Sequence, residues 1–79
     1  METESSTIPI HDIYATAYCS YKGIAVTFTK QDRRVIFHLP DTAATYCTLS
    51  EFNNNPTLQL LDYVTHLKRL RAMMISMRG

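Results

Sequence analysis

The chain has 79 residues and a net charge of +1, with 8 Lys plus Arg against 7 Asp plus Glu. That length makes one domain, and so even a balance gives no global reason to expect a nucleic-acid partner. Two cysteines and the absence of any apolar run of about 18 residues exclude a disulfide-rich scaffold and a membrane span.

A domain this short buries only about 60 % of its unfolded surface, so its stability is marginal without help. Cys19 and Cys47 form no C-x-x-C pair. Without a signal peptide they fit a reducing, cytoplasmic setting as small apolar groups, a Cys19–Cys47 bridge being the competing arrangement. With neither bridges nor ions, self-association is the remaining stabiliser.

Residues 1–9 are polar and rich in Ser and Thr, and read as a disordered tail ahead of a single domain over 10–79. Asp12 can cap a helix from Ile13, whose Ile13, Tyr14, Ala17, Tyr18 and Tyr21 share one face, with Lys22 and Gly23 as its stop. Residues 24–30 alternate, with Ile24, Val26 and Phe28 on one side and Thr27 and Thr29 on the other. After a turn over 31–33, residues 34–39 return with Val35, Phe37 and Leu39 inward, predicting a β-hairpin. A lone hairpin is marginal, so a partner's hairpin is one natural cover for its open edges. Pro40 ends the strand, and Asp41 can cap a short helix with Ala43, Ala44, Cys47 and Phe52 inward.

Asn55 and Pro56 then predict the start of a long helix running to Met77. Leu60, Tyr63, Leu67, Leu70, Met74 and Met77 alternate at spacings of three and four, with Leu61, Val64 and Met73 widening the stripe. At about 1.5 Å per residue this helix is about 32 Å long, longer than so small a body needs, so one end is expected to project or to meet a second subunit. The predicted class is α+β, in the order α-β-β-α-α, with one antiparallel hairpin packed on a long C-terminal amphipathic helix.

Asp12-Ile-Tyr-x-x-Ala17, Gly23, Val35-Ile-Phe37, Asp41 and Leu61-x-x-Val64-x-x-Leu67-Lys68 together resemble a family of small uncharacterised domains of bacterial and phage genomes. The resemblance covers about residues 10–76. It implies the same layout and a mobile-element setting, and it brings no activity or site residue. Arg34 to Asp41, followed by two helices, is similar to ribbon–helix–helix repressors. That likeness implies a dimer laying a paired ribbon in the DNA major groove, with Arg34, Ile36 and His38 toward the bases and Asn55 capping a helix beside a phosphate. Ile36 is a poor base reader, and the strand already has a partner in residues 24–30.

His11, His38 and His66 are far apart, and a zinc site from His11, Cys19, His38 and Cys47 matches no ligand spacing. His38 and His66 are expected to face solvent. Asp12, Asp32 and Asp41 are accounted for as caps and a turn residue, and there is no glycine-rich phosphate loop. No catalytic, metal or cofactor site is predicted, and the reading is not an enzyme. Lys68, Arg69, Arg71 and Arg78, with Lys30, Arg33 and Arg34, are a local basic patch whose plainer explanation is a solvated helix end in a favourable dipole.

The expected function is a non-enzymatic protein-binding accessory module of a phage or mobile element, homodimeric, acting on a host protein. Its expected interface is Tyr14, Tyr18, Tyr21, Leu70, Met74 and Met77. The alternative is a DNA-binding dimer using Arg33, Arg34, His38, Lys68, Arg69 and Arg71.

Overall fold

The computed structural model describes residues 6–78, and the side chain of residue 78 is not described. The order is β1 (Thr7–Ile10), α1 (Ile13–Tyr21), β2 (Thr27–Gln31), β3 (Arg34–Pro40), α2 (Ala43–Asn53) and α3 (Leu60–Arg78). The class is α+β, with one strand more than expected. Residues 7–10, read mostly as tail, pair antiparallel with β3 in the register Ile8 to Leu39 and Ile10 to Phe37. Residues 1–5 lie outside the described residues.

The sheet order is β1-β3-β2, so β3 is central. Neither of its edges is free for a partner's hairpin. The two outer edges are guarded. Pro9 lies opposite His38 in β1, a non-hydrogen-bonded position by the ladder's alternation, so its donor-less nitrogen faces outward at no cost to the pairing. Lys30 of β2 lies opposite inward-facing Val35, a charge on the core-side face of an edge strand.

The β2–β3 turn is the two residues Asp32 and Arg33, both with positive φ, 54° and 83°. This is the primed turn that matches strand twist, and its second position favours glycine. We expect Arg33→Gly to stabilise the domain by about 0.5–1 kcal/mol, net of the extra freedom glycine gives the unfolded chain. The melting temperature should rise by about 3–6 °C in a thermal scan.

Helix α1 starts as expected, with the Asp12 carboxylate accepting from the Tyr14 and Ala15 amides at 2.9 and 3.3 Å. It ends in a Schellman motif: Gly23 at φ 92°, its N–H donating to Ser20 C=O and the Ile24 N–H to Cys19 C=O. More than one face is covered, since Ala15 through Cys19 are all buried. Small side chains let α2, α3 and the sheet close in on this helix, and it rather than α3 is the hub of the fold. Buried Thr16 loses nothing, because its hydroxyl donates to Asp12 C=O at 2.8 Å.

The core joins Ala17 of α1, Phe37 of β3 and Leu70 of α3, with Ile10, Ile13, Val26, Phe28, Tyr63, Leu67 and Met74 packed around them. The sheet therefore carries helices on one face only.

Helix α2 is capped by the Thr42 hydroxyl and not by Asp41. Asp41 instead accepts from the Tyr46 hydroxyl at 2.7 Å. Its inner face is Thr45 and Thr48 with half-buried Leu49 and Phe52, while Ala43, Ala44 and Cys47 are exposed. Local bonds allow this: Thr45 Oγ1 shares one with Thr42 Oγ1, and Thr48 Oγ1 donates to Ala44 C=O.

Helix α3 begins at Leu60, not Pro56. Asn55 has φ 56°, a left-handed conformation incompatible with the extended backbone of an N-cap. A stretch without regular structure follows, held where the Gln59 N–H donates to Tyr21 Oη at 3.0 Å. No helix among the described residues is long and apolar enough to cross a membrane.

Candidate functional site

Three places in the fold gather groups with chemical potential, and the first is the α1–α3 seam. Ser20 Oγ and His66 Nδ1 share a hydrogen bond of 2.8 Å, and the Tyr21 ring meets the imidazole edge-on at 6.2 Å. His66 thus faces α1 and is half-buried, contrary to the solvent position expected for it. A serine against a histidine is the germ of a nucleophile and base, but such a pair needs a group orienting the base and a donor for the oxyanion. Among the described residues no carboxylate bonds His66, and the nearby Gly23 and Ile24 amides are spent on the helix cap. The pair pins two helices together. It was invisible in the chain, since its members are 46 positions apart.

The tyrosines serve this seam and the neighbouring contact of α1 with α2. Tyr63 Oη donates to Tyr14 C=O at 3.0 Å, and Arg71 Nη2 donates to Tyr14 Oη at 3.1 Å with its guanidinium 5.9 Å from the ring centroid. Tyr18, 2 % exposed, packs on Phe52 and donates to Glu51 Oε1, which also pairs with Lys22. Burial first, then the bond to Glu51 and its charge, raises the Tyr18 phenol above its ordinary value.

The expected interface set is therefore divided. Tyr18 and Leu70 are core residues and cannot anchor a partner. Tyr21, Met74 and Met77 are half-buried, Tyr21 and Met74 against their own chain, and only Tyr14 is substantially open.

The second place is the flank of α3 turned away from the core. Leu60 is 65 % exposed, Leu61 79 % and Ile75 66 %. Leu61, Val64, Lys68, Ala72 and Ile75 follow helical spacing, a second stripe beside the one that faces Leu70 and Leu67. Leu60, expected in the core stripe, belongs to this flank.

The third is the sheet's outward face, where β3 directs Arg34, Ile36 and His38 and β2 directs Thr27 and Thr29. The His38 Nε2 shares a 2.8 Å hydrogen bond with Thr29 Oγ1. At one end Ser6, Thr7, Ala25, Thr27, His38 and Pro40 line an open cavity of about 220 Å³. Arg33 and Arg34 stand at the other end, at the hairpin turn, and both are exposed.

The basic residues do not make one patch. Arg33, Arg34 and His38 belong to the sheet layer, and Lys68, Arg69 and Arg71 to the helical layer, with Arg71 engaged by Tyr14. With β3 flanked on both sides, the paired intermolecular ribbon that would carry Arg34, Ile36 and His38 into a major groove has no edge to form on. Asn55 caps no helix. The cysteines are free, Cys19 buried and Cys47 exposed. Among the described residues no three His, Cys, Asp or Glu side chains gather to hold an ion.

Compared with known families, with curated proteins and with solved structures, the chain matches none.

Proposed function

We propose that this domain is a non-enzymatic protein-binding module that associates with a second copy of itself through the outer flank of α3. One observation carries the reading: Leu60, Leu61 and Ile75 stand in solvent on a helix whose opposite side already fills the core. Burying a leucine or isoleucine fully is worth about 1.5–3 kcal/mol. Six such side chains across a two-fold axis contribute on the order of 10 kcal/mol, against an association cost of about 4–15 kcal/mol. At the low end of that cost the balance is about 6 kcal/mol, a dimer in the tens of micromolar. The guarded sheet edges direct association to this flank. A mobile-element setting is supported by the family resemblance alone, and a host-protein target only by small size and that setting.

Sedimentation velocity tests the reading. Wild type should shift from monomer to dimer over about 1–200 µM, a range bracketing a dissociation constant worth about 6–8 kcal/mol. Leu61→Asp and Ile75→Asp should each hold the chain monomeric with an unchanged far-UV spectrum, because neither position is in the core. Cys47→Ser, on exposed α2 surface, should dimerise as wild type does. A wild type that stays monomeric throughout, or aspartate variants that still dimerise, would overturn it.

A further inference from the structure

The outward face of the sheet is independent of the α3 flank, and no helix or strand among the described residues covers it. We propose that it binds single-stranded nucleic acid, with one nucleobase in the cavity at the Pro40 end and phosphates at Arg33 and Arg34. The register decides what this face holds. Arg34 pairs with Gln31, Ile36 with Thr29 and His38 with Thr27, so hydroxyls, one imidazole and one guanidinium alternate along it. No carboxylate belongs to these strand positions, and Arg33 adds a second cation at the turn, offset only by Asp32. Neither arginine has an ion-pair partner among the described residues. Phosphate is the complement of such an end.

The cavity asks for something different. None of its lining side chains is formally charged, and at about 220 Å³ it lies below the size of pockets for drug-sized ligands. Pro40 and Ala25 line it together with Ser6, Thr7, Thr27 and His38, and the lining is mostly apolar with a small polar share. A flat, neutral, hydrogen-bonding ring fits that description, as a nucleobase does. His38 lies between cavity and arginines, oriented by Thr29, and imidazole is a stacking surface for bases. From Arg34 to Pro40 the strand spans about 20 Å, so one strand laid along β3 reaches both ends.

Duplex DNA does not suit this face. Its major groove admits a helix or a two-stranded ribbon, whereas β3 is flanked on both sides. An acidic peptide would satisfy the arginines but brings no ring for the cavity.

Fluorescence anisotropy on the full chain tests the proposal with three probes of about ten units, within the site sizes such proteins use: oligothymidylate, the same strand without bases, and a duplex. A polyglutamate peptide serves as the fourth. Oligothymidylate should bind most tightly. Its affinity should fall about sevenfold between about 50 and 200 mM salt, as expected for two phosphate contacts. Arg34→Ala should weaken it about fivefold. Ala25→Leu, which fills the cavity from an exposed position, should weaken it about tenfold while leaving the abasic strand unaffected. Arg33→Gly should bind more weakly despite its higher melting temperature, which separates binding from folding. Absence of binding at low salt, equal binding of the abasic strand, duplex or peptide, or indifference to both Arg34→Ala and Ala25→Leu would each overturn the proposal.

Discussion

Phe37→Ala is expected to abolish the cooperative unfolding transition of the domain. Phe37 is 2 % exposed at the middle of the central strand, packed with Ala17 and Leu70 and edge-on to Phe28 at 5.5 Å. It is the strand residue of the buried cluster that also holds Ala17 of α1 and Leu70 of α3. Truncating a buried phenylalanine costs about 3–5 kcal/mol. A domain of this length has only about 4–12 kcal/mol in total, and a core this small places it near the lower end. A thermal scan by circular dichroism should therefore show a sloping baseline without a sigmoid. Ile36→Ala, one residue earlier on the uncovered face, should cost about 1 kcal/mol or less and keep a cooperative melt. If Phe37→Ala melted within a few degrees of wild type, the core would not be where the packing puts it.

A second large effect is expected at alkaline pH. Cys19 is fully buried on α1, and burial pushes its thiol from 9.0 up to about 11. Below pH 9 folded and unfolded chains hold the same proton, and stability is intact. Between 9 and 11 the unfolded thiol ionises while the folded one keeps its proton, so stability falls as pH rises. The loss is about 1.4 kcal/mol per pH unit, or about 2–3 kcal/mol over the window. Tyr18, raised by burial and by Glu51, and Tyr63, raised by burial and then by the Asp12 charge, act in the same direction above 10.0. Urea midpoints measured from about pH 8 to 11 should fall through this window. Cys19→Ala should delay the onset toward 10, where the tyrosines take over. A flat wild-type profile would mean that the thiol is not sealed from water in the folded state.

The parts of the fold legible in the chain are those set by local chemistry. Asp12 and Gly23 bound α1 because a carboxylate on free amides and a left-handed glycine are decided within a few residues. Val35, Phe37 and Leu39 alternate inward because a strand with one covered face must do so. What was not legible depends on distant partners. Strand β1 is four residues with a proline, and only pairing with β3 makes it a strand. Asn55-Pro56 carries a good helix-start signal, yet the chain turns left-handed there and defers the helix to Leu60. Helix α2 buries threonines rather than alanines and Cys47, because their hydroxyls find local acceptors that a hydrophobicity pattern does not register.

The sites show the same division. The apolar surplus of α3 was visible as Leu61, Val64 and Met73 beyond the main stripe, but not which members would be left in water. Tyr18, on a helical face that reads as either core or interface, proves to be core, since its contacts to Glu51 and Phe52 join helices far apart in the chain. The open sheet face could not be anticipated, because a hairpin alone does not say which side the helices will take.

The link between β1 and α1 has a consequence for assembly. His11 and Asp12 alone connect them, a reach of about 7 Å, and Asp12 is itself committed to capping α1. The first strand is therefore no detachable arm. Lending it to a neighbouring molecule would drag out α1 and unmake the interior around Ala17. Exchange of this segment between copies is closed off, and higher-order complexes must be built from finished globules meeting surface to surface.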